Sequence, residues 1–223
     1  VYKTPTKMEK TYVLPDPIKS FPAYPTGEQY PNQHVGTTEE NWTYFDVVLN
    51  GDVRINDYRA DNYTLDLTKQ NDKVYTFNNI TLDSNYTLNI NVGNQDRSIV
   101  VNNFNLINGH IVLNGTGKLT VYVVSKYTMG SSSTFNNNGQ VNRLSVYYQG
   151  SQPLVFSGGQ RVFGSLYAKT ADISITAGSG FWGAIITGGS HFTVDGGTSS
   201  VTQLFYAPNA VFNMAGSGKI YGK

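Results

Sequence analysis

The chain has 223 residues, a formal net charge of +1 and 14% charged residues, where an average soluble protein carries roughly 25%. Lys and Arg are scattered rather than clustered, so neither a nucleic-acid surface nor contact with an anionic membrane is expected. The absence of cysteine excludes disulfides, thiolate metal sites and cysteine nucleophiles, and the 39% apolar share is too high for a disordered chain.

Six of the eight prolines fall early: Pro5, Pro15, Pro17, Pro22, Pro25 and Pro31. The stretch VLPDPIKSFPAYP cannot donate a continuous ladder of hydrogen bonds and reads as extended or polyproline-like. Residues 1–40 are therefore expected to form a Pro-rich arm. Residues 41–223 are expected to form one all-β domain. From Asn41 onward, short runs such as WTYFDVVLNGDVRI, NYTLDLT, VYTFNNITL, YTLNINV and SIVVNNFNLI alternate apolar and polar residues between Asn, Asp and Gly punctuation. That is a strand series. In YTLNINV, Tyr86, Leu88, Ile90 and Val92 share one face, and Thr87, Asn89 and Asn91 the other. No apolar stripe of helical period with caps is present, so little helix is expected, and no run is long enough to span a bilayer.

The second half repeats. Aligning Val162–Gly180, Phe181–Gly197 and Leu204–Gly218 places Tyr167, Ile186 and Tyr206 together, then Ala168, Thr187 and Ala207, then Ile173, Phe192 and Phe212. The offsets are 186 − 167 = 19 and 206 − 186 = 20. A weaker copy begins at Leu144. A period near 20 with short strands and Gly-rich corners predicts a parallel β-helix, or solenoid, in the C-terminal half, clearest over residues 144–223. Further strands precede it. Three inward ladders are expected: Tyr/Ile, Ala/Thr, and aromatic with β-branched. KIYGK matches the opening of another unit, so Ile220, Tyr221 and Gly222 are candidate edge residues for a partner or a second copy.

Residues that carry chemistry are sparse. AGSG and GGSHF lack the phosphate-loop pattern, and their glycines recur at the repeat period. Polysaccharide-active β-helix enzymes need convergent carboxylates. Here the repeat half offers Asp172 and Asp195, which do not align, with His191 nearby. His34, His110 and His191 lack neighbours at metal-ligand spacing. Asp57, Asp61 and Asn62 would suit a weak Ca²⁺ site if a loop folds round them, with a solvated turn as the alternative. Trp42, Tyr147, Tyr148 and Trp182 are candidates for stacking on sugar rings, with Trp182 also a candidate plug of the solenoid interior. No resident cofactor or metal is expected.

The order FPAYP, FNNITLDSNYTLNINVG, LINGHIVLNGTGKLTVYVV, SLYAKTADI, FWGAIITGG and YAPNAVFNMAGSG resembles an uncharacterised extracellular domain of bacterial PilX-like pilus-assembly proteins and other surface proteins, mostly Gram-positive. The resemblance spans roughly Pro22 to Gly222 and is most specific at Gly115–Val123. It implies a cell-envelope location and a structural or adhesive role, and it carries over no catalytic residue. The chain starts at Val1 rather than Met, which fits a processed or trimmed product with its anchor outside these residues. The expected function is a non-enzymatic surface or pilus-associated module, partnered by other surface proteins or by itself through an open solenoid end. A polysaccharide-active enzyme and a sugar-binding module are the alternatives.

Overall fold

A computed structural model describes residues 15–37, 42–69 and 73–222, with backbone alone for residues 199–203 and Gly222. Strand accounts for 52% and helix for 3%, and the strands stack as parallel coils of a β-solenoid with about 7 turns spaced about 23 residues apart. The expected class is therefore correct. The solenoid also reaches further forward than the second half. Asp52–Ile55 already pairs in parallel with Val74–Leu82, and Tyr63–Asp66 with Tyr86–Asn91.

Each turn contributes to three ladders of parallel strands. The first runs through Tyr75, Ile99, Val121, Val146, Leu166, Ile185 and Phe205, each opposite the next. The second starts at Asp52–Ile55, passes through Asn79–Leu82, Asn103–Leu106 and Lys126–Met129, and is continued by the four-stranded set Leu154–Phe156, Ile173–Ile175, His191–Val194 and Val211–Met214. The third links Tyr63–Asp66, Tyr86–Asn91, Gly109–Asn114, Thr134–Phe135 and Arg161–Phe163, then the openings of Gly180–Thr187 and Ser199–Tyr206, and ends at Lys219–Gly222.

Period-two alternation decides what fills the interior. Leu88, Ile90 and Val92 are fully buried, while Thr87, Asn89 and Asn91 face outward. The outward amides form their own ladder on the second face. Asn103 Nδ2 donates to Asn79 Oδ1 at 2.9 Å, and Asn79 Nδ2 donates to Asp52 Oδ1 at 2.7 Å. Such stacks give a low-charge surface its hydrogen bonds without salt bridges.

One corner admits no side chain. Gly183 sits at φ +142°, and a methyl group there would be driven into the carbonyl oxygen of Gly164 on the preceding coil. Only glycine allows that conformation and that approach.

The two ends differ. At the N-terminal end the chain leaves the parallel pattern: Gln33–Val35 runs antiparallel to Phe45–Leu49, which runs antiparallel to Asp52–Ile55. Val47, Val48 and Val53 are fully buried there, and Tyr30 packs on Tyr75 and Phe77. At the C-terminal end the core rows continue into solvent. Phe192 is 1% exposed and its successor Phe212 is 44%; Val194 is 0% and its successor Met214 is 50%.

The arm differs from expectation in where it stops. Asp16 starts a capped turn: its side chain accepts the N–H groups of Ile18 and Lys19, with Pro17 in the first-turn position that proline favours. By Glu28–Gln29 the chain has joined the sheet, pairing with Tyr75 and Thr76. Residues 28–37 thus belong to the domain rather than to the arm.

Candidate functional site: the outer tyrosine ladder and the open coil

The first ladder carries an outward row of Thr76, Val100, Tyr122, Tyr147, Tyr167, Ile186 and Tyr206. This corrects the expected inward Tyr/Ile ladder. The neighbouring row of Phe77, Val101, Val123, Tyr148, Ala168 and Thr187 is buried instead. Tyr148 fits inside because the two coils above it supply only Ala168 and Thr187. Ala168 and Thr187 of the Ala/Thr ladder are inward as expected, as are Ile173 and Phe192, whereas Ala207 is only partly buried.

The outward tyrosines stack on one another. The rings of Tyr122 and Tyr147 are 5.3 Å apart at 17°, and those of Tyr147 and Tyr167 are 4.5 Å apart at 10°. Both faces of Tyr147 are therefore covered by neighbours, and the row presents ring edges to the outside. The arm runs across these edges. Phe21 meets Tyr147 edge-on at 6.0 Å, and Lys169 Nζ lies 5.9 Å from the Phe21 ring. Tyr24 packs on Tyr122 at 4.9 Å, and its hydroxyl lies 2.9 Å from the Val123 carbonyl and 3.0 Å from that of Tyr147. Burial raises the Tyr24 phenol above its ordinary value, so it stays a donor. A cleft of about 290 Å³ remains between the arm at Pro15, Pro17 and Phe21 and the ladder at Tyr167, Ile186 and Tyr206.

The sugar-stacking candidates fare unevenly. Tyr148 is fully buried and is withdrawn, because a sugar ring cannot reach it. Tyr147 is withdrawn because it has no free ring face. Trp182 does not plug the interior. It lies on the flank, half-buried, stacked on Phe163 at 4.4 Å and 11°, which covers one indole face. Trp42 is 72% exposed.

The Ca²⁺ candidates are engaged otherwise. Asp57 binds Arg59 through both carboxylate oxygens, at 2.7 and 2.6 Å, and caps the turn Tyr58–Ala60. These bonds from Arg59 pull its carboxyl down to about 2. Asp61 Oδ1 accepts the N–H of Thr87, and Asn62 serves the turn at φ 60°. The oxygens expected to bind a cation hold the chain in place, and that reading is withdrawn.

Asp172 and His191 do come together, one coil apart. Asp172 Oδ1 accepts the N–H groups of Ser190 at 2.7 Å and His191 at 2.9 Å, while Oδ2 lies 3.2 Å from His191 Nδ1. Burial works against the charge on Asp172, but the N–H groups of His191 and Ser190 outweigh it and lower its pKa. Ser190 Oγ lies 2.9 Å from that same Nδ1. A hydrolytic relay needs the hydroxyl on one ring nitrogen and the carboxylate on the other. Here both crowd one nitrogen, as in a corner cap. Asp195 sits at the opposite end of His191–Val194, roughly 13 Å along the strand, where its Oδ1 accepts the N–H of Gly196.

The last described coil holds the edge candidates. Lys219–Gly222 is the last strand of its ladder, pairing only with Ser199–Tyr206 among the described residues. Ile220 packs on the core margin and Tyr221 is 52% exposed. Phe212 and Met214 on Val211–Met214 are exposed as well; the repeat places Phe212 in a ladder but does not show its exposure. Phe192, Phe205 and Phe212 form an aromatic cluster whose outer rim faces solvent, with Phe192 4.5 Å from Phe205.

These features define a parallel β-solenoid protein with an arm strapped along one face. The chain belongs to the DUF7305 family, a domain of unknown function, which matches residues 43–196. The match ends before the last coil. No curated protein and no solved structure matches the chain.

Proposed function

We propose that the chain is a non-enzymatic structural or adhesive module of a bacterial cell-surface or pilus-associated assembly, working outside the cell. Its mechanism is geometric. Parallel coils form a stiff rod, and the arm braces one flank. The observation that carries this reading is the stack itself: about 7 parallel coils, with Tyr24 of the arm set against Tyr122 and its hydroxyl on the carbonyls of Val123 and Tyr147. The resemblance to PilX-like surface proteins supports the location.

The enzymatic alternative has less support, because Asp172, Ser190 and His191 are wired as a cap and Asp195 lies elsewhere. The test is to fractionate producing cells and to assay the purified chain on polysaccharides. The chain is expected in the envelope or pilus fraction and is expected to cleave none of them. Recovery from the cytoplasm, or polysaccharide cleavage by the purified chain, overturns the reading.

A further inference from the structure

The outer tyrosine row holds phenols in a geometry suited to covalent coupling. Tyr122, Tyr147 and Tyr167 occupy one register position on three successive coils. Neighbouring strands lie roughly 4.8 Å apart, so like side chains at one position are held face to face. Within the row the tightest pair is Tyr147 and Tyr167, with ring centroids 4.5 Å apart and planes 10° from parallel. Both side chains are half-buried, and neither hydroxyl has a hydrogen-bond partner among the described residues.

A phenol becomes a coupling partner by giving up its hydroxyl hydrogen atom. A hydroxyl that already donates to a carbonyl resists that loss, because the bare oxygen would then face the carbonyl lone pairs. Tyr24 is protected in this way by the carbonyls of Val123 and Tyr147. Tyr122 is clamped between the rings of Tyr24 and Tyr147. Tyr147 and Tyr167 instead both line the cleft of about 290 Å³ beside the arm, which leaves their rings room to tilt toward each other. The next outward residue is Ile186, which has no phenol. Tyr206 lies one coil beyond it, roughly 9 to 10 Å from Tyr167, so coupling in that direction stops at one bond. The chain has no cysteine to intercept an oxidant.

We propose that Tyr147 and Tyr167 form an oxidative cross-linking site, joined carbon to carbon by a one-electron oxidant of the peroxidase class working with hydrogen peroxide. Each ring gives up one electron and its hydroxyl proton. The two phenoxyl radicals form one bond between their Cε carbons, and the hydrogen on each bonded Cε moves to the phenolic oxygen through solvent. The pair loses two hydrogen atoms in all, and one hydrogen peroxide is reduced to two waters. The fold supplies the proximity and orientation that two free phenols lack. The bond ties together two coils of a chain that has no disulfide. Exposure to such an oxidant rests on the extracellular placement proposed above, whereas the geometry of the pair does not.

The test treats the purified chain with hydrogen peroxide and a peroxidase, then digests it and searches for linked peptides by mass spectrometry. Monomeric protein is expected to give a peptide pair joined at Tyr147 and Tyr167, lighter than its two parts by two hydrogen atoms. Tyr147→Phe and Tyr167→Phe retain the rings, and each is expected to lose this product. Tyr206→Phe is expected to keep it in full. Absence of the linked pair, links at other tyrosines only, links between separate chains only, or an undiminished yield of dityrosine in both of the first two variants overturns the site. Failure to couple in a chain that fractionates with the envelope overturns the site and leaves the proposed location standing. Coupling in a chain recovered from the cytoplasm does the reverse.

Discussion

Phe192 and Phe212 stack one above the other, ring centroids 5.9 Å apart at 18°, yet one is 1% exposed and the other 44%. They are register partners on successive coils. Removing a fully buried Phe typically costs about 3–5 kcal/mol. Phe192→Ala is expected in that range by urea unfolding. Phe212→Ala is expected to cost less than half as much.

Tyr147 and Tyr148 are neighbours in sequence on opposite sides of the wall. Tyr148→Ala opens a void in the core and is expected to cost about 3–5 kcal/mol. Tyr147→Ala loses stacking and arm contacts, at roughly 1–2 kcal/mol. Tyr24→Phe removes one hydrogen bond and is expected to cost about 1 kcal/mol. It should also speed amide exchange in the arm while leaving the coils unchanged. Mass-spectrometric hydrogen exchange reads both effects.

Backbone conformation gives a paired test. Gly183→Ala adds a methyl group that meets the Gly164 carbonyl, at a φ no L-residue favours. It is expected to destabilise the chain by more than about 2 kcal/mol. Ala177 stands at φ 51° in a corner. Ala177→Gly relieves that left-handed strain and is expected to raise the melting temperature slightly, a gain of up to about 1 kcal/mol.

Acid should loosen two corners. Arg59 holds the Asp57 carboxyl at about 2, and the N–H groups of His191 and Ser190 lower that of Asp172 despite its burial. A carboxyl with a depressed folded pKa contributes stability above its unfolded value of about 4 and loses it as pH falls toward the folded one. Asp57→Asn and Asp172→Asn are therefore expected to melt below the parent at pH 7. The gap should shrink steadily between pH 4 and pH 2. A gap that stays constant over that range contradicts the assignment.

The coil period was legible because Tyr167, Ile186 and Tyr206 mark it at steps of 19 and 20. Residues one period apart stack, which is also how Asp172 and His191 meet. The earlier coils hid because their steps are longer and uneven, as in Tyr75 to Ile99 and Val121 to Val146. Which tyrosine faces inward was not legible from alternation alone, since Tyr147 and Tyr148 suit either side. The small residues above Tyr148 decide it, and only the register shows them to be above it. The arm's contacts escaped altogether. Tyr24 reaches Val123 and Tyr147 across 99 and 123 residues, and no periodicity links a polyproline stretch to a particular coil. Its one hint was the three-residue spacing of Phe21 and Tyr24, which matches the polyproline turn.

Hydrogen exchange across the coils tests the stiff rod most directly. The account predicts that amides of Arg97–Leu106, Leu119–Met129 and Gly180–Thr187 exchange slowly. Fast exchange throughout these strands would contradict it.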